Sequence, residues 1–345
     1  MIRSLILLWC ATHFLPCITA LIASEKYQSV RPYTVSGVSS GAFMAIQHHI
    51  SFNKDVVGIG AIAGGPFFCA QDKLEIALHA CMTAPEFISV SELVTITYST
   101  YLTTRTIDNP SFTKGDKIWL FSGVNDKKVK PGVVAKTFSY YSGLGAADSD
   151  IELRGDVQAA HAMVTDRFGS DCNYFGSPYI DNCNFDAAGA MLQHFFNGTL
   201  KPRVKANSSF ILSFPQTKYM DKTLVNNISS IGMADVGYVY IPKNCQDGKM
   251  SKCRLHVAYH GCLQAPENIN TTFVEHAGYN EWGEANDIVI LYPQAASNVF
   301  NPEACWDWWG YTGPDYSCRI GSQLSVIGKM VADFMGTGQG KNMWQ

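Results

Sequence analysis

The segment Tyr33-Thr34-Val35-Ser36-Gly37-Val38-Ser39-Ser40-Gly41-Ala42-Phe43-Met44 passes from a strand signal to a helix signal through one tight turn. Tyr33 to Val35 is β-branched and aromatic, whereas Ala42 to Ile50 reads as a helix. Between them lies the pattern Gly-x-Ser-x-Gly. Glycines on either side of a serine permit a strained strand-to-helix turn that lifts the hydroxyl above the edge of a sheet. The segment is therefore read as a nucleophile elbow, with Ser39 as the nucleophile.

A serine hydroxyl needs a base to take its proton, and the base needs an acid to orient it. Working outward from Ser39, Val56 to Ala63 is an apolar run ending in Gly64-Gly65-Pro66, as expected of a buried parallel strand. Helical stretches follow near 73–81 and 89–103. Lys117 to Ser122 is a second buried strand and runs into Gly123-Val124-Asn125-Asp126. A helix from Pro131 to Tyr141 and a short strand from Asp150 to Leu153 then precede a loop containing His161. One crossover separates Asp126 from His161, which predicts that both stand at the sheet edge occupied by Ser39. Asp108, Asp116 and Asp156 are competing acids, but none stands so clearly at the exit of a strand. The order Ser, Asp, His is that of the α/β-hydrolase fold. Further on, the sequence predicts a helix over 186–197, strands over 236–241, 255–259 and 288–292, and helices near 273–285 and 321–335. Strands alternating with helices imply a mostly parallel central sheet with helices on both faces, here in one catalytic domain spanning 24–345.

The bulk properties fit that class. The chain has 345 residues, 47% hydrophobic and 16% charged, with a net charge of −3 and no long run of one sign. Clustered Lys and Arg, which a nucleic-acid groove or a polybasic membrane patch would need, are absent from the sequence. Residues 1–23 carry Arg3, the apolar run Leu5-Ile6-Leu7-Leu8-Trp9, and small residues at Ala20 and Ala23, and are read as a secretory signal peptide. His13 and Pro16 interrupt that run well short of the roughly 20 apolar residues of a spanning helix. The mature protein is expected outside the cytosol, with no membrane span and as a monomer.

Cysteine usage agrees. Eleven cysteines less Cys10 and Cys17 of the leader leave nine. Cys69 with Cys81, Cys172 with Cys183, and Cys245 with Cys253 each close a short loop, as staples in an oxidising compartment do. Cys262, Cys305 and Cys318 leave one thiol over. No Cys-x-x-Cys pair suggests zinc, and His256 and His260 lie on a strand where they share no helix face, so neither metal nor cofactor is expected. Sequons at Asn197, Asn207, Asn227 and Asn270 are candidate glycan acceptors.

Acyl chemistry also needs two backbone N–H groups aimed at the developing oxyanion. One is expected from Ser40. The loop that supplies the other usually follows a strand preceding the elbow, often beginning His-Gly, and the mature chain has only a short stretch before Ser39. His260-Gly261-Cys262 instead follows the strand 255–259. The strand 288–292 and the helix over 322–334 come after it, where an ordinary α/β-hydrolase would pass directly to the elbow. The order implies a circularly permuted α/β-hydrolase fold.

Five motifs now stand in one register: Gly37 to Ala42, Ser122-Gly123 with Asp126, Ala159-Ala160-His161, Tyr259-His260-Gly261-Cys262, and Cys305-Trp306-Asp307-Trp308-Trp309. Together they resemble the extracellular poly(3-hydroxybutyrate) depolymerases, nearest to the permuted, single-domain fungal type, over nearly the whole mature chain. The resemblance implies Ser39, Asp126 and His161 as a triad, with the amides of Ser40 and Cys262 as the oxyanion hole. It also implies Trp306, Trp308 and Trp309 as lining for a polyester groove. Four large rings between Trp306 and Tyr311 cannot all point inward, so at least one should be exposed. Many bacterial members carry a linker and a substrate-binding domain that this sequence lacks, so exposed apolar residues would have to hold solid polymer. Cys262 with Cys305 would tie the oxyanion loop to the Trp segment and leave Cys318 over; Cys305 with Cys318 is the rival pairing. Other readings are a feruloyl or acetyl-xylan esterase on the same scaffold, an inactive polymer- or protein-binding descendant, and a peptidase.

Overall fold

A computed structural model of the chain describes residues 32–223, 225, 227–246 and 252–336. The expected signal peptide, 1–23, lies outside the described residues. The strands are β1 (Tyr33–Val38), β2 (Val56–Ile62), β3 (Lys117–Phe121), β4 (Ile151–Arg154), β5 (Met163–Thr165), β6 (Ser170–Asp171), β7 (Ile180–Asn182), β8 (Ile211–Pro215), β9 (Val236–Tyr240), β10 (Arg254–Tyr259) and β11 (Ile288–Tyr292). The main helices are α1 (Ser40–Ser51), α2 (Val90–Thr104), α3 (Pro131–Leu144), α4 (Ala187–Phe195), α5 (Tyr279–Asn286) and α6 (Ser322–Phe334).

Eight strands form one sheet in the order β4-β3-β2-β1-β10-β11-β9-β8. The six from β4 to β11 run parallel, and β9 and β8 close one side in antiparallel fashion. The central strands are apolar throughout because both faces are covered. Residue parity shows how. Thr34 and Ser36 of β1 face His256, which stands between Phe195 of α4 and Tyr279 of α5. Tyr33 and Tyr259 point to the opposite face, where both hydroxyls bond His48 of α1 at 2.7 and 2.5 Å. Helices thus lie on both sides, and burial pushes the pKa of His48 and of His256 down to about 3, holding both rings neutral.

Three features depart from the expected elements. The helix expected near 273–285 is two pieces, Thr272–His276 and Tyr279–Asn286, because Gly278 between them sits at φ +91°. A small sheet in the order β5-β7-β6 follows the His161 loop, with strands of two or three residues that carry no periodicity to read. Strand β8 was also unexpected; it ends in Pro215 and lies at the edge, the place where a strand tolerates proline.

Disulfides join Cys69 to Cys81, Cys172 to Cys183, Cys245 to Cys253 and Cys262 to Cys305. Cys318 is buried and outside these four bonds, so the rival Cys305–Cys318 pairing does not form. All four sequon asparagines are exposed. Among the described residues no helix is long and apolar enough to cross a membrane.

Candidate active site

Ser39 joins β1 to α1 at φ 56°, ψ −124°, a conformation that costs a non-glycine residue on the order of 1–3 kcal/mol. The surroundings enforce it. Ser39 N–H donates to the Ile62 carbonyl at 2.9 Å, and the Ser39 carbonyl accepts from Ala42 and Phe43 in the first turn of α1. A Cβ on Gly37 would stand 2.2 Å from the Gly41 oxygen, and one on Gly41 would stand 2.3 Å from the His260 oxygen. Both glycines are therefore required by backbone contact rather than by preference.

Asp126 lies in the loop after β3, and His161 in the loop before β5. The two loops are zipped together: Val124 N–H donates to Val157 O at 2.9 Å, and Asn125 N–H to Ala159 O at 3.0 Å. The small sheet holds the far side of the histidine loop through Ala160 N–H to Cys172 O and Met163 N–H to Tyr179 O. His161 Nε2 thereby stands 2.8 Å from Ser39 Oγ, and Nδ1 stands 2.8 Å from Asp126 Oδ2. The other carboxylate oxygen of Asp126 accepts from the amides of Lys128 and Val129, both at 2.9 Å. Asp126 is buried, and the His161 side chain keeps 11% of its surface exposed. An alcohol, an imidazole and a carboxylate in line can move a proton from the first to the second while the third stabilises the cation.

The loop Gly261-Cys262 lies against the elbow: a Cβ on Gly261 would come 3.3 Å from Ser39 Cβ. His260 fixes this loop, donating from Nδ1 to Gly261 O at 2.7 Å and accepting Ala295 N–H at Nε2. Burial pushes its pKa down to about 4, as a neutral ring with one donor and one acceptor requires. Among the described residues no acceptor takes up the amides of Ser40 or Cys262. The Cys262–Cys305 disulfide ties the loop to the Trp segment. Glu303 sits beside both sulfurs, but sulfurs bound to each other are no metal ligands.

The Trp segment corrects one expectation. Trp306 is fully buried and donates its indole N–H to the His260 carbonyl at 3.1 Å, so it supports the Gly261-Cys262 loop from behind and does not line a groove. Trp308 is also buried, stacked on Phe43 of α1 at 4.2 Å. Trp309 and Tyr311 are the half-exposed rings of the group.

Sequence reasoning missed two residues that shape this site. Asp307 accepts the amides of Trp309, Gly310, Tyr311 and Thr312 and the Thr312 hydroxyl, drawing the Trp segment into a tight loop, while burial pushes its carboxyl pKa up. Gln264 bonds the Gly261-Cys262 loop to the segment entering the small sheet. Asp307 lies inside a recognised motif and Gln264 shortly after one, but nothing in their spacing marks either.

No family model matches the sequence. A polyhydroxybutyrate depolymerase of Talaromyces funiculosus is 32% identical over 337 residues, an alignment covering 89% of this chain and 90% of that protein. The chain belongs to the poly(3-hydroxybutyrate) depolymerase family. A second depolymerase, from Delftia acidovorans, is 41% identical over 308 residues, and the chain spans 60% of that protein's length. The crystal structure of the PHB depolymerase from Penicillium funiculosum superposes with a TM-score of 0.78 at 30% identity, covering 91% of this chain and 98% of that one. A PHB depolymerase with a serine-to-alanine substitution, complexed with R3HB trimer, superposes with a TM-score of 0.77 at 29% identity over 91% of this chain. The central sheet and flanking helices of this depolymerase-family chain are thus those of an α/β-hydrolase.

Proposed function

We propose that this chain is a secreted, monomeric, single-domain serine esterase that hydrolyses poly(3-hydroxybutyrate) or related 3-hydroxyalkanoate polymers and oligomers through an acyl-enzyme. The observation that carries the reading is the unbroken line Ser39 Oγ, His161 Nε2, His161 Nδ1, Asp126 Oδ2, with 2.8 Å at each contact. Family membership and the likeness to a depolymerase complexed with R3HB trimer support the choice of substrate. Four disulfides support an oxidising, extracellular destination.

In this mechanism His161 takes the Ser39 proton as the hydroxyl attacks an ester carbonyl, and Asp126 stabilises the imidazolium. The amides of Ser40 and Cys262 hold the oxyanion. His161 then protonates the departing alkoxide, the ester C–O bond breaks, and water attacks the acyl-enzyme by the same route in reverse. We also infer that the fold is circularly permuted. The reading is supported by the strand order, in which β10 and its oxyanion loop sit beside β1 although they arise more than 200 residues later.

The test is hydrolysis of amorphous poly(3-hydroxybutyrate), its dimer and trimer, and a feruloylated or acetylated sugar, by the wild type and by Ser39→Ala. Release of 3-hydroxybutyrate units by the wild type alone is expected. Preference for the sugar esters, or a Ser39→Ala variant near the wild-type rate, overturns the reading.

A further inference from the structure

A cavity of about 470 Å³ is lined in part by His161. Asn125, Lys127, Lys128, Ala160, Asn173 and Phe175 form its walls with the histidine itself. Its polarity is one-sided. The two asparagines bond each other, Asn125 Nδ2 to Asn173 Oδ1 at 2.6 Å, and Asn125 also holds the Gln158 carbonyl at 3.1 Å. Lys127 and Lys128 are exposed, and Lys128 Nζ hovers 5.5 Å from the centre of the Phe175 ring. Among the described residues neither ammonium has a carboxylate within ion-pair distance; the nearby Asp126 is committed to His161 and two amides. The cavity therefore presents two uncompensated positive charges and an aromatic face beside the His161 side chain.

The chemistry of the proposed substrate gives this cavity a direction. His161 must lie within hydrogen-bond reach of the oxygen that leaves, since it returns the proton to that oxygen. In a 3-hydroxyalkanoate ester, the fragment carrying the leaving oxygen is the one that runs toward the carboxyl end of the chain. When the scissile bond is the last or the one before it, that fragment is a hydroxyacid or its dimer, and it ends in a carboxylate.

We propose that Lys127 and Lys128 form a carboxylate subsite on the leaving-group side, which recognises the acid terminus of short 3-hydroxyalkanoate oligomers and favours cleavage near that end. The proposal rests on the esterase reading above and adds to it a chain-end specificity. Phe175 packs against the methylene and methyl groups of the leaving unit, while the ammoniums pair with its terminal carboxylate. The pairing is solvent-exposed, so it biases selection between substrates rather than providing the bulk of binding.

The experiment compares kcat/KM for the 3-hydroxybutyrate trimer as free acid and as methyl ester, at neutral pH. Enzymes are the wild type, the double variant Lys127→Met/Lys128→Met, and the double variant Lys127→Arg/Lys128→Arg. Two exposed pairs predict that the ratio of free acid to methyl ester falls roughly five- to tenfold in the methionine variant. The arginine variant should keep the wild-type ratio, and raising salt to ~0.5 M should lower the wild-type ratio toward that of the methionine variant. Hydrolysis of both trimers with the same ratio in all three enzymes overturns the subsite and leaves the esterase reading standing. Failure of the wild type to cleave either trimer overturns both.

Discussion

Gln264 accepts the Gly261 N–H at Oε1, 2.7 Å away, while its Nε2 donates to the carbonyls of Pro178 and Tyr179 at 3.1 and 2.9 Å. One buried carboxamide thus spans from the oxyanion loop to the small sheet behind His161. The Tyr179 carbonyl it holds also accepts Met163 N–H, so the histidine loop and the oxyanion loop share a single bracket. Gln264→Leu should lower kcat about 10- to 100-fold with a smaller change in KM, less than the loss of an oxyanion donor itself. Steady-state hydrolysis of p-nitrophenyl butyrate measures both constants.

Asp126→Asn keeps its oxygen for the Lys128 and Val129 amides and so presents an N–H to His161 in place of an acceptor. The imidazole then loses its orientation and its charge partner. The variant should fold normally and lose about 10,000-fold in kcat, read by the same ester assay beside a circular dichroism melt.

At Gly41 the argument is steric. An alanine Cβ would stand 2.3 Å from the His260 oxygen and 2.5 Å from the Tyr259 oxygen, both backbone atoms. Gly41→Ala must push the elbow away from the oxyanion loop. We expect an inactive protein destabilised by about 3 kcal/mol or more, measured by urea unfolding and fluorophosphonate labelling of Ser39.

Replacing Cys262 and Cys305 together by alanine opens a loop of 43 residues, which chain entropy rates at about 4 kcal/mol. The loop so freed is the one that carries the Cys262 amide, the proposed oxyanion donor. Activity should therefore fall at temperatures well below the melting point of the variant, a gap that parallel activity and unfolding scans would reveal.

Asp181 is fully buried on β7, and neither carboxylate oxygen has a partner among the described residues. Burial, aided by Asp171, raises its pKa from 3.8 to about 7. A carboxyl with a raised folded pKa binds more protons folded than unfolded between those values. Stability therefore declines as pH rises from about 4 to about 7, by an amount on the order of a few kcal/mol. Asp181→Asn should raise the melting temperature at pH 8 and change it little at pH 4, as differential scanning calorimetry would record.

The central strands and the elbow were legible because their signals are local: apolar runs between turns, and two glycines around Ser39. The approach of Asp126 and His161 to Ser39 was legible from their places after strands. Other parts depend on contacts that sequence spacing does not encode. Trp306 looks like groove lining from its neighbours, yet the His260 carbonyl draws its indole inward. Gln264 acts through backbone groups and Asp307 mainly so, and since every residue has them no partner residue betrays the two. Strands of two or three residues such as β6 exist only because β7 lies alongside.

The strand order also has a temporal side. A chain emerging from the ribosome carries the hydroxyl of residue 39, the carboxylate of 126 and the imidazole of 161 before its first 170 residues are complete. Strand β1 must then wait for β10, its parallel neighbour on one side, and the amide of Cys262 arrives only with that strand's exit loop. Until synthesis has passed residue 262, the three side chains exist without the amide proposed to stabilise a tetrahedral adduct. On the proposed mechanism, hydrolytic competence arrives only with the closing of the sheet.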